Sequence, residues 1–143
     1  MTGGCACGRV RFEAAVDSDE ACLCHCRMCQ RASGKVSLAM IGLGQADVRW
    51  SREPDWYASS AIAKRPYCAN CGTSLGFRYN EGTMMDLTVA AFDDPSRFGP
   101  TSHFGAESVH EAWLDTTDLP RTRSDDYQPL VDRWNASGAA PPK

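Results

Sequence analysis

The chain has 143 residues, 43% of them hydrophobic, with 15 basic and 18 acidic residues for a formal charge of −3. That size and apolar content suit one domain with a buried core, and the charges form no basic stripe of the kind that follows a phosphate backbone, so nucleic acid is not expected as a partner. No stretch approaches the roughly 18 apolar residues of a membrane span, and MTGGCACGR lacks the regions of a signal peptide, so a soluble, cytoplasmic protein with no membrane partner is expected.

Residues 9–15, RVRFEAA, place Val10, Phe12 and Ala14 on one face with period two, which predicts a half-buried strand. Residues 27–33 read as one helical turn stopped by Gly34. Further strands are predicted over 35–41, 47–51, 62–67, 74–79 and 84–91, with Gly42, Gly44, Pro54, Asn80 and Gly82 as punctuation. Short strands at close spacing without long intervening helices indicate an antiparallel, mainly β domain. Near the C-terminus Tyr127, Leu130, Val131 and Trp134 recur at helical spacing behind Asp125 and Asp126, with Pro129 in the first turn, where proline is tolerated. This stripe is expected to be a packing face. The domain is expected to run over 1–135, followed by a polar, proline-rich, disordered tail at 136–143.

Eight cysteines fall into three clusters: Cys5 and Cys7; Cys22, Cys24, Cys26 and Cys29; Cys68 and Cys71. In a reducing compartment such spacings point to metal binding or catalysis, not to disulfides. Zinc prefers tetrahedral thiolates, and a structural site usually joins two pairs distant in sequence, which Cys5, Cys7, Cys68 and Cys71 would provide. Spacing alone leaves the pairing of the CxC with the CxxC open. Cys24, Cys26 and Cys29 fill three positions from one short segment. A free fourth position would suit a catalytic zinc, with water or a substrate sulfur bound; alternatively Cys22 or a histidine closes a second structural site. Successive same-face residues of a strand lie about 6.5 to 7 Å apart, so Cys22, Cys24 and Cys26 cannot all reach one ion without a sharp bend, and Cys22 is expected to be a neighbour. His25, between two ligands, is expected to point away from the metal, at the surface or behind the ligands. His103 and His110 read as ordinary hydrogen-bonded residues, either of which could still reach the open site. Trp50, Trp56 and Tyr57 are expected in the core and not around a pocket.

Three blocks, GGCACGRVRFE, CHCRMCQRASG and YCANCGTSLGF, together resemble the glutathione-dependent formaldehyde-activating enzyme family, which includes centromere protein V. His103-Phe104, Trp113 and Leu119-Pro120 are a weaker fourth match, so the resemblance runs over about residues 3 to 120. It implies a β-tent fold, two antiparallel sheets clamped by zinc. It also implies two zinc ions, a structural one on Cys5, Cys7, Cys68 and Cys71 and a catalytic one on Cys24, Cys26 and Cys29. The implied activity is that of a carbon-sulfur lyase acting on glutathione adducts of small aldehydes, S-hydroxymethylglutathione among them, with glutathione as cosubstrate and small-molecule partner. Arg31 is the candidate for a glutathione carboxylate, which a guanidinium binds as a bidentate fork. The competing reading is a zinc-stabilised binding module without catalysis.

Overall fold

The computed structural model describes residues 1–139, which divide into two compact units, the first Met1–His110 and the second beginning at Glu111. The first unit holds ten strands in two sheets. Strands β1 (Thr2–Gly4), β2 (Arg11–Ala14) and β5 (Val48–Trp50) form the smaller sheet, in the order β1-β2-β5. The larger sheet takes β3 (Glu20–Cys24), β4 (Leu38–Gly44), β6 (Asp55–Ser60), β7 (Ala63–Tyr67), β8 (Gly76–Tyr79), β9 (Met84–Thr88) and β10 (Gly99–Phe104). Its spatial order is β10-β3-β4-β9-β8-β7-β6.

The antiparallel expectation needs one correction. β10 runs parallel to β3, pairing His103 with Leu23 and Phe104 with Cys24, after a bulge between Pro100 and Ser102. Proline is tolerated there because β10 is an edge strand, where the missing N–H interrupts no inner ladder. Its exposed, polar sequence GPTSHF carries no period-two signal, which is why the strand escapes a reading by pattern. β1 and β6 were also unpredicted, whereas β3 overlaps the extended stretch read through Cys22, Cys24 and Cys26, and β2, β4, β5, β7, β8 and β9 fall on predicted stretches.

One face of the larger sheet packs on the smaller one. Ile41 and Leu43 of β4 and Met85 and Leu87 of β9 join Val10, Phe12, Ala14 and Val48 in one buried cluster. Phe12 sits at its centre, edge-on to Trp50 at 5.5 Å and to Phe92 at 5.1 Å between ring centroids. Because side chains alternate along a strand, the residues between these turn to the opposite face, and that face builds the site.

Helix α1 (Arg27–Ser33) follows β3 directly. It starts at Cys26, whose sulfur accepts the amide hydrogen of Cys29 as an N-cap, and stops at Gly34, which takes the left-handed conformation that glycine adopts without strain (φ 67°). The second unit contains helix α2 (Gln128–Ser137), with Pro129 in its first turn and Gly138 as its C-cap. Leu130, Val131 and Trp134 are half-buried and line a groove with Thr122–Asp125 of the same unit, while Tyr127 is exposed. The helix thus extends into the start of the expected tail, and residues 140–143 lie outside the described residues. No helix among the described residues is long and apolar enough to cross a membrane.

Candidate metal centres

The fold brings the distant CxC and CxxC together. The sulfurs of Cys5, Cys7, Cys68 and Cys71 all lie within 4.8 Å of one another, with Cys5 to Cys7 at 3.6 Å and Cys7 to Cys68 at 3.7 Å. A tetrahedron of thiolates at about 2.3 Å from zinc has edges of roughly 3.8 Å, so the donor set fits that ion. Surrounding groups favour the thiolate forms of Cys68 and Cys71, whereas burial leaves the Cys5 thiol above its usual range. Val10 N–H donates to the sulfur of Cys5 at 3.2 Å, and Thr73, hydrogen-bonded at 3.2 Å, lowers Cys71 to about 6. Burial pushes the Cys68 thiol up, but the amides of Cys71 and Asn70 and the Arg9 guanidinium outweigh it and leave the thiol below its usual range. Arg9 is held by Asp55 at 2.6 Å, and Asp55 also accepts the amide hydrogen of Ala69 inside the knuckle.

The second cluster is local. Cys24 ends β3, Cys26 caps α1 and Cys29 sits one turn into it; the sulfur of Cys24 lies 3.5 Å from that of Cys26 and 3.3 Å from that of Cys29. Burial drives the Cys24 thiol up. Burial also raises Cys29, against the opposing hydrogen bond from Arg65. For Cys26 burial is outweighed by the amides at the start of α1, and the thiol falls below its usual range. The three sulfurs lie within 4.8 Å of one another and could hold a metal ion; that of Cys22 is not part of the group.

Cys22 instead lines the cavity onto which this cluster opens, a space of about 360 Å³. Its wall is the free face of the larger sheet. The ladder places Cys22 opposite Met40, Phe77 opposite Asp86 and Tyr79 opposite Ala63, so these residues share one face, with Arg65 next but one after Ala63. Met28 of α1 and Phe104 of β10 complete one end.

Arg65 is the residue of this site that sequence reasoning missed. It is only 3% exposed, its Nη2–H donates to the sulfur of Cys29 at 3.3 Å, and its guanidinium lies 5.0 Å over the ring of Phe77. Its Nε and Nη1 are buried without a hydrogen-bond partner, an arrangement that favours negative charge beside it. The signal was an arginine on the inward face of the predicted strand over 62–67. Arg31, by contrast, is exposed on α1 and does not line the cavity.

The histidines also sort themselves. His25 is buried, not at the surface, and bonds His103 at 2.8 Å; neither histidine lines the cavity. Trp50 belongs to the core, Trp56 lies under Lys64 at 4.6 Å, and Tyr57 is exposed, so none of the three lines the cavity.

Comparison with known proteins agrees with this architecture. The family model described as glutathione-dependent formaldehyde-activating enzyme matches residues 1–108. A Schizosaccharomyces pombe protein named as an uncharacterized lyase is 31% identical over 80 residues, 56% of this chain and 58% of that protein. The chain therefore spans less than two thirds of that relative's length. The crystal structure of a Rhodobacter sphaeroides protein has the same fold, with a TM-score of 0.59 and 23% identity, covering 72% of this chain and 99% of that one.

Proposed function

This chain belongs to the glutathione-dependent formaldehyde-activating enzyme family, and on that premise we propose that it is a zinc-dependent lyase that makes and breaks the carbon-sulfur bond between glutathione and a small aldehyde. The supporting observation is the contrast between its clusters: four thiols gather at one, whereas three gather at the other and open onto a cavity. In this reading Cys5, Cys7, Cys68 and Cys71 hold a structural zinc, while Cys24, Cys26 and Cys29 hold a second ion with one exchangeable position. Bound there, zinc supplies Lewis acidity and keeps a sulfur in its thiolate form.

The chain's own residues set the conditions. Arg65, donating to Cys29, offsets negative charge on the three sulfurs. The apolar wall excludes water from the reacting sulfur and carbon. Arg31, exposed on α1, offers a glutathione carboxylate a guanidinium outside the cavity. In the forward direction the thiol sulfur bonds to the carbonyl carbon and the thiol proton ends on the carbonyl oxygen; the reverse step releases both. A cytoplasmic setting, where glutathione is abundant and thiols stay reduced, suits this chemistry.

A binding module would require a closed second site. Cobalt substitution followed by glutathione titration separates the two. The visible and thiolate charge-transfer bands of the second site should shift on adding glutathione, in the wild type and equally in Cys22→Ala. An unchanged spectrum, or loss of the second cobalt in Cys22→Ala, would give the site a fourth protein ligand and overturn the enzymatic reading.

A further inference from the structure

The residues facing the cavity divide by burial. Cys24, Cys29 and Arg65, each 3% exposed, form its inner end. At the mouth stand Met28 at 49%, Tyr79 at 53%, Phe104 at 62% and Ile62 at 66% exposure. Single exposed hydrophobic residues are common, but four large ones around one opening mark a surface that something apolar covers. The charged residues facing the cavity are Arg65 and Asp86. Arg65 is engaged with Cys29 at the inner end, so among the described residues no other cation lines the cavity to receive a carboxylate.

Size points the same way. About 360 Å³ falls within the range of roughly 300–1,000 Å³ typical of sites for small organic ligands. Formaldehyde has two heavy atoms, whereas this space would hold on the order of ten waters. Glutathione carries two carboxylates and an ammonium group, none of which matches an apolar mouth. The reacting carbon must lie at the inner end, against the thiol cluster, so whatever substituent it bears passes between Ile62, Tyr79 and Phe104.

From this we infer that the aldehyde is not formaldehyde but one with an apolar substituent of several carbons, aliphatic or aromatic, seated along the cavity while the charged arms of glutathione remain outside. The inference rests on the lyase reading above and narrows its substrate. The reaction stays balanced: R–CHO and a thiol R′–SH give R′–S–CH(OH)–R, one carbon-sulfur bond forming, the thiol hydrogen moving to oxygen, with no oxidant or reductant involved.

The test is direct binding of unreactive thioethers to the zinc-loaded protein by calorimetry, in two series from S-methyl to S-hexyl, one on glutathione and one on mercaptoethanol. Affinity should rise about two- to fourfold per methylene, at least about thirtyfold across the series. Ile62→Gln and Phe104→Gln, both at exposed positions outside the core, should flatten that rise. Rising affinity in the glutathione series supports both readings. Rising affinity in the mercaptoethanol series alone keeps the apolar substituent and discards glutathione. Affinity that does not grow with chain length in either series overturns the inference, even if S-methylglutathione binds and the lyase reading survives.

Discussion

The rings of His25 and His103, 78 residues apart in sequence, stack with centroids 5.0 Å apart and share a hydrogen bond of 2.8 Å between Nε2 and Nδ1. The pair fastens the parallel edge strand β10 to the end of β3, beside the amide of His25, which donates to the carbonyl of Phe104 at 2.8 Å. His103→Ala leaves a buried imidazole without its partner and should cost about 1–3 kcal/mol. Thermal melting measures the loss, and hydrogen exchange should show the His25 amide losing protection before those of β4 and β9.

The two thiol clusters should respond differently to the loss of a ligand. Cys68→Ser or Cys71→Ser breaks a site that joins residues 5–7 to 68–71 across the fold. Structural zinc contributes about 10–16 kcal/mol, as much as or more than the roughly 5–15 kcal/mol by which a domain is folded. Loss of soluble, folded protein is expected. On the proposed reading Cys26→Ser removes a ligand from a cluster confined to six residues, so metal at that cluster should be lost with a fall in melting temperature of only about 5 °C or less. Zinc content and melting curves of both variants check this. Equal unfolding would make the second cluster structural.

Gly105 combines two demands. Its φ is 69°, and a Cβ placed on it would stand 2.6 Å from the backbone nitrogen of Cys26 and 3.0 Å from its Cα. Alanine in that conformation costs about 1–2 kcal/mol, and the clash must also displace the backbone that presents a thiol. Gly105→Ala should therefore destabilise the protein by about 2 kcal/mol or more and weaken metal binding at the second cluster, leaving the first cluster's metal in place. Gly105→Asn, which tolerates the backbone conformation but keeps the Cβ, should recover stability only partly. Competition with a chromophoric chelator reads the two sites.

Asp86 lies half-buried in the cavity wall, and burial raises its carboxyl above the usual range although Arg65 pulls it down. An acid whose folded pKa is raised opposes folding once it ionises. The penalty is absent below the unfolded value of about 4 and grows as pH rises through the folded value. Asp86→Asn should raise the melting temperature at pH 7, and the gain should disappear near pH 3. A gain that persists at pH 3 would show that the carboxylate's charge is not its cause.

Much of this was legible in the residues themselves. Val10, Phe12 and Ala14 alternate because one face of β2 is buried, and all three lie in the core. The helical turn over 27–33 follows from Cys26 as its cap and Gly34 as its stop, both local features. Cysteine spacing placed Cys24, Cys26 and Cys29 in one cluster, since a segment that short cannot keep them apart. Arg31 was read for its position after the motif, but the local segment does not determine which way a helical side chain faces.

Other features depended on strands that only the folded chain makes neighbours. Whether Cys5 and Cys7 meet Cys68 and Cys71 is a matter of register between distant segments, as is the pairing of His25 with His103. The parallel course of β10 was illegible because an exposed edge strand needs no apolar alternation to hold its place. The cavity is the clearest case. Arg65, Phe77 and Asp86 each appear ordinary along the chain, and they share a face with Cys22 only through the ladder that links β3, β4, β9, β8 and β7. Composition and spacing thus determined that the chain is a mainly β protein with cysteine clusters suited to metal. Which side chains surround the second cluster was decided by strand pairing, because period-two alternation assigns each residue a side of its strand, but only the inter-strand hydrogen bonds assign the strand its neighbours.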